Sequence, residues 1–209
     1  SYEQGAMIEP LAVAVHAVRR FGDIAGKKVA ILGAGPIGNL VSQVARSMGA
    51  KQVLITDVSD YRLTLAKDCG ADYAINTRNR DFNDVLVECF GRDKADVIYD
   101  CAGNNITINQ AIHAARKGSS IILVAVFADM AQVDLAVLND HELDLNTTMM
   151  YRHEDYKTAI SLVVTGAIHL ELLMSKVFPF FQYQEAYEFI DANQETCMKV
   201  LIDIHNKTK

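Results

Sequence analysis

Short, unbroken apolar runs that alternate with helix-forming stretches constrain this chain more than any other feature. Lys28–Leu32 (KVAIL), Gln52–Thr56 (QVLIT), Tyr73–Asn76, Asp96–Asp100 and Ser120–Ala125 are short, apolar and rich in Val and Ile. Strands buried on both faces read this way, because neither face meets water. Between them the sequence predicts helices over Asn39–Met48, Tyr61–Cys69, Asp81–Phe90 and Ile106–Arg116. Gly49, Gly70, Gly91 and Gly118 follow these helices closely, where a left-handed residue commonly ends a helix. Ser59 and Asp81 are placed to cap helix N-termini. Strand–helix–strand units repeated in this order predict an α/β fold, a doubly wound parallel sheet with helices on both faces.

Past Ala125 the pattern loosens. Glu142–Met150 reads as an edge strand, Glu154–Thr165 and Gln184–Ala192 as helices, and Lys199–Ile204 as a last strand. The 209 residues suffice for a sizeable core, and half of them are hydrophobic. With only 3 prolines and no low-complexity tract, no linker is expected. The net charge of −6 comes without a basic cluster, which argues against nucleic-acid binding. The apolar runs are far too short to span a bilayer, and none reads as a secretory signal. Cys69, Cys89, Cys101 and Cys197 form no CxxC pair and sit at no metal-ligand spacing. They read as reduced, mostly buried thiols of a cytoplasmic protein.

The segment GAGPIG, residues 33–38, directly follows the first apolar run. Gly33 allows a tight turn out of the strand, Gly35 leaves room for a pyrophosphate against the backbone, and Gly38 lets the helix pack close. Pro36 opens the following helix, and the free N–H groups of Ile37 and Gly38 and the positive helix end suit a diphosphate. A glycine-rich turn without a ligand is the bland alternative. The second strand then ends in Asp57, 19 residues past Gly38, where an acid that grips the adenosine ribose is expected. A carboxylate there accepts hydrogen bonds from both ribose hydroxyls and repels a 2′-phosphate, and Val58 next to it cannot neutralise one, so NAD is favoured over NADP. Arg62 is a candidate for the adenine face, or else a solvated first-turn arginine. Asp57 could instead cap the next helix. Asp100-Cys101-Ala102-Gly103 ends the fourth strand, where Ala102 and Gly103 would let a cofactor pass close to the backbone. Val124, Ala125 and Val126 end the fifth, where backbone groups could hold the nicotinamide amide.

The stretches GAMIEPLAVAVHAVRR (5–20), KKVAILGAGPIGNLVSQVARSMGAKQVLITDVS (27–59), DCAG (100–103) and MMYRHED (149–155) resemble zinc-dependent medium-chain dehydrogenases, sorbitol/polyol branch. The resemblance implies that residues 1–209 form an NAD-binding Rossmann domain, with 1–26 as a linking helix region and 176–209 as a C-terminal extension. It also implies a GroES-like catalytic domain ahead of this stretch, carrying the cysteine and the His-Glu pair that hold catalytic zinc. No GHE and no cysteine quartet occurs here, so the expectation is a fragment or isolated cofactor domain that turns over little by itself. By the same resemblance Glu9, the acid of the EP pair, approaches that zinc. An acid at a helix start before Pro10 is the alternative. Arg152 matches an arginine near the substrate, a small polar alcohol, although His153 replaces the tyrosine frequent in relatives. Ala125 stands where a glycine is common and could crowd the nicotinamide backbone. The other histidines show no partners in sequence, and His16 reads as a packed residue of the linking helix. Relatives pair their sheets, so Leu143–Met150 is expected to join a homodimer. A non-catalytic NAD(H)-binding redox or assembly module is the main rival reading. A methyltransferase using S-adenosylmethionine and a flavoprotein fit the glycine turn less well.

Overall fold

The computed structural model describes residues 1–205, so the end of the expected extension 176–209 lies outside the described residues. The chain runs α1 (Tyr2–Arg19), β1 (Lys28–Leu32), α2 (Pro36–Ser47), β2 (Gln52–Asp57), α3 (Asp60–Asp68), β3 (Tyr73–Asn76), α4 (Phe82–Phe90), β4 (Val97–Asp100) and α5 (Asn105–Ala114). There follow β5 (Ser120–Leu123), α6 (Leu135–Asp140), β6 (Asp144–Thr147), α7 (His153–Val164), β7 (Met174–Pro179), α8 (Tyr183–Ala192) and β8 (Lys199–Asp203).

Six parallel strands form one sheet in the order β3-β2-β1-β4-β5-β6. The strand runs are apolar throughout because alternate residues enter two separate cores. Val29 and Ile31 of β1, Val53 and Ile55 of β2, and Val97 and Tyr99 of β4 face α1, α2 and α7. Ala30, Leu32, Leu54 and Ile98 face α4 and α5. Slipping one residue in register would exchange the two sets, so the pairing is strongly specified. Winding direction reverses between β1 and β4, and at that reversal the strands' carboxyl ends leave a crevice.

Several ends differ from the sequence reading, each for a local reason. β5 stops at Leu123 rather than Ala125 because the Val124 and Ala125 N–H groups both turn to the Asp100 carbonyl, at 2.9 and 3.0 Å. β6 covers only Asp144–Thr147 of the expected Glu142–Met150, since Glu142 and Met150 take left-handed φ of 51° and 56° at either end. α5 ends at Ala114 because Ala115 is extended. The predicted last strand does not join the main sheet. It pairs in parallel with β7, which the sequence reading passed over, and α8 connects the two. α1 begins at the Ser1 cap and carries Pro10 within it, so Glu9 stands mid-helix and not at a helix start. The proline withholds an N–H from the preceding turn, yet the helix continues because its face is buried from Met7 to Val18 against α2 and α7. The fully buried Tyr99 ties β4 to that helix through its hydroxyl, which donates to Val18 O at 3.2 Å.

Candidate dinucleotide-binding site

The turn between β1 and α2 is built around two backbone contacts that no larger residue would permit. A Cβ on Gly38 would stand 1.9 Å from Gly33 O, so the helix packs directly on the strand end. Gly33 has φ +96°, and a Cβ there would press on Ala102 N at 3.1 Å. Gly35 is different in kind. Its φ of −65° and ψ of −176° suit any residue, and an added Cβ meets nothing within 4 Å. Neither backbone strain nor crowding requires glycine at 35, which stands at the N-cap of α2 and faces the open space before that helix N-terminus. Pro36 at the first helical position brings no N–H, and Ile37 and Gly38 have no intrahelical acceptor by helix geometry. The turn is held from inside by buried Asn39, whose Nδ2 donates to Ala34 O at 2.6 Å.

Asp57 closes the turn from the β2 side. Its Oδ2 accepts the Ala34 N–H at 2.7 Å, and its Oδ1 accepts those of Val58 and Ser59 at 2.8 and 2.9 Å. Ser59, not Asp57, caps α3, by accepting the Arg62 N–H. Asp57 lines a cleft of about 340 Å³ with Leu32, Gly33, Thr56, Ala102 and Asn104. It also borders a wider groove of about 870 Å³ that reaches Arg62, Arg78 and the 194–196 loop. Arg62 does not point freely into either space: its Nη2 donates to Gln194 O at 2.7 Å.

The end of β4 adds the opposite wall. Asp100 is fully buried, and burial pushes its carboxyl above the usual value. Gly103 N–H, Ala102 N–H and the Thr107 hydroxyl donate to it and offset part of that cost. Asp100 is thus a staple for the strand-end turn and not a ligand group. Gly103 has φ +69°, and a Cβ there would lie 2.5 Å from the Ala125 Cβ, so Ala125 crowds Gly103. Val124 is buried beyond β5 while Val126 is exposed. Cys101 beside Asp100 is an inert thiol, raised well above its ordinary pKa by burial. Cys69 and Cys197 are buried, whereas Cys89 and Cys101 are half-buried; all four are free.

Glu9 and Arg152 lie apart from this turn. Glu9 is half-buried on α1, and among the described residues no three His, Cys, Asp or Glu side chains converge on a point that could hold a metal ion. The residues present do not by themselves fit a zinc centre. Arg152 precedes α7 and lines a cleft of about 350 Å³ with His16, Arg19, Arg20 and Glu154. His16 has a partner that sequence did not reveal: its Nδ1 lies 2.8 Å from Asp155 Oδ2. The same buried carboxylate accepts Arg19 Nη1 at 2.6 Å and the Arg152 N–H at 2.8 Å. Asp155 accepts the Arg152 N–H from three residues on, but an arginine at the N-cap gives no capping signal in sequence. Asn39 and Arg78 carry no signal in sequence, because one lies inside a helix and the other beyond β3.

The zinc-binding dehydrogenase family model matches residues 36–165, and the chain belongs to this family. Sorbitol dehydrogenase 1 of Saccharomyces cerevisiae is 33% identical over 208 residues, 97% of this chain and 58% of its own length. L-idonate 5-dehydrogenase of Escherichia coli superimposes with a TM-score of 0.88 at 30% identity, covering 97% of this chain and 57% of that one. An Escherichia coli alcohol dehydrogenase solved with NADH superimposes with a TM-score of 0.89 at 26% identity, covering 98% and 60%. The chain thus spans little more than half the length of these relatives.

Proposed function

We propose that this chain is the NAD-binding domain of a zinc-dependent alcohol or polyol dehydrogenase. The observation that carries the reading is the open space over Gly35, in front of the unpaired N–H groups of Ile37 and Gly38. The diphosphate sits there, against the helix end. Asp57 reaches the adenosine ribose, Ala102 leaves backbone room beside it, and the backbone at Val124 and Val126 borders the nicotinamide. Arg62 covers the adenine face after releasing Gln194. A bound NAD supplies the hydride acceptor; this chain's residues bind it, orient it and keep its phosphates paired. The likeness to sorbitol and L-idonate dehydrogenases supports a small polar secondary alcohol as the substrate of the whole enzyme. Arg152 suits a hydroxyl-rich or carboxylate-bearing molecule and stands at the N-cap of α7, which packs on α1, the element that carries Glu9. In the whole enzyme Glu9 would face a zinc whose other ligands come from the missing catalytic domain, which residues 1–26 would join to this one. The outer edge of β6 supports a homodimer, since β6 has a partner strand on one side only. Free thiols support a cytoplasmic setting, and no described helix is long and apolar enough to cross a membrane.

Titration of the chain with NADH, followed by nucleotide fluorescence, tests the reading. One saturable site with a Kd on the order of micromolar is expected. ADP-ribose should displace the bound nucleotide, because the grip falls on ribose and diphosphate. No saturable signal, or NADH that ADP-ribose leaves in place, contradicts the assignment.

A further inference from the structure

The loop after β3 carries a positive charge into the ribose end of the site. Asn76 fixes this loop: its Nδ2 donates to Val58 O at 3.2 Å and to Asp60 Oδ1 at 2.7 Å, and its Oδ1 accepts the Arg78 N–H at 2.9 Å. The Arg78 side chain turns back over β2, with Nη2 3.4 Å from Val58 O, and borders both the inner cleft and the outer groove that Asp57 lines. A guanidinium therefore stands beside the residue that follows Asp57, the place where a ribose 2′-phosphate would need a counter-charge. In sequence it is 20 residues away from Val58, so Val58 itself gave no sign of it. Neighbouring arginines are already engaged, Arg62 with Gln194 and Arg80 with Glu88. Arg78 is exposed and makes no ion pair among the described residues.

Asp57, for its part, is already engaged with the backbone. An ionised carboxylate offers about four lone-pair directions. Ala34, Val58 and Ser59 N–H groups take three of them. The remainder suits one ribose hydroxyl and not both, and three N–H dipoles offset part of the repulsion toward a phosphate.

We propose that Arg78 makes the adenosine end accept a 2′-phosphate, so that the chain binds NADPH as well as NADH. The proposal rests on the dinucleotide reading above. A phosphate dianion gains charge-assisted hydrogen bonds from the guanidinium fork, whereas an unsubstituted ribose gains none. Arg78 therefore acts on NADPH alone.

Calorimetric titrations of wild type and Arg78→Ala with NADH and with NADPH, at low and high salt, test this. In wild type the NADPH Kd should lie within about tenfold of the NADH Kd. Arg78→Ala should weaken NADPH by about tenfold or more and leave NADH within about twofold. Added salt should weaken NADPH more steeply than NADH, because an exposed charge pair is screened. Arg78→Lys, which keeps the charge and loses the fork, should recover part of the NADPH affinity. Firm NADH binding with no NADPH binding overturns the proposal and leaves the dinucleotide reading standing. Equal weakening of both nucleotides by Arg78→Ala also overturns it, because the side chain would then lie on the adenine. Binding of neither nucleotide overturns the dinucleotide reading itself.

Discussion

Gly38 and Asp57 put the turn's two demands, close packing and polar pairing, on single residues. Gly38→Ala forces a Cβ toward Gly33 O, which is backbone and cannot swing aside. Thermal or denaturant unfolding should show a loss of about 2–3 kcal/mol, and an unchanged midpoint would contradict the packing described. Asp57→Ala strands three N–H groups at the half-exposed turn, where water can partly replace the carboxylate. NADH affinity should fall about tenfold or more while stability drops by only about 1 kcal/mol. Asp100 makes stability depend on pH. Its folded carboxyl lies above the ordinary 3.8, so folding resists its ionisation and stability declines as pH rises from 3.8 through the raised value. Asp100→Asn keeps an acceptor for the Ala102 and Gly103 N–H groups and should flatten that decline in urea melts run across pH. A variant whose pH profile still matches wild type would show that another group causes it. Gly33, Gly38 and Asp57 were all legible in the sequence, because each answers a backbone or charge requirement fixed by spacing from β1. Asn39 and Asp100 were not seen for what they are. Their roles depend on backbone atoms that only the folded turn brings near, such as Ala34 O and Gly103 N–H.

At the scale of elements, the junction of α1 and α7 rests on Asp155. Burial pushes this carboxyl up, but the Arg152 N–H, Arg19 and His16 outweigh it and hold it below the ordinary value. A carboxylate so held stabilises the fold above pH 3.8 and loses that contribution as pH falls through its lowered value. Asp155→Ala should cost about 2–3 kcal/mol at neutral pH and less at acid pH, read as the difference between melts at the two. A cost that does not shrink on acidification would point to lost packing in place of lost ion pairing. The strands of the main sheet were legible because burial on both faces writes itself as unbroken Val/Ile runs. β7 was not, because MSKVFP mixes exposed and buried residues in a two-stranded sheet and carries too weak a period. Element ends were the least legible. They are set by turns of the chain such as the left-handed Glu142 and Met150, residue types that carry no turn signal of their own.

For the whole molecule, the sheet reads as a nucleotide platform with two edge strands, β3 and β6. Residues of β6 pair with β5 on one side, and exposed Thr147 lies at that edge. Sedimentation should show a dimer, and Thr147→Lys should shift it toward monomer without changing NADH affinity. A wild-type chain that sediments as a monomer at every concentration would remove the edge from the account. The fold class and the glycine turn were readable at this scale because alternating strands and helices allow few topologies. The ribose end was not fully readable, since Arg78 joins Asp57 only after β3 is laid beside β2.

The most direct test substitutes the glycine of the turn that neither strain nor crowding requires. Gly35→Val has allowed dihedrals and open space around its Cβ, so its unfolding midpoint should drop only by the few degrees, about 1 kcal/mol, that a poorer N-cap costs. Its side chain nevertheless fills the place assigned to the diphosphate, and NADH binding should weaken by about a hundredfold, or about 2.7 kcal/mol. A stable Gly35→Val protein that binds NADH as wild type does would show that no phosphate sits at this turn.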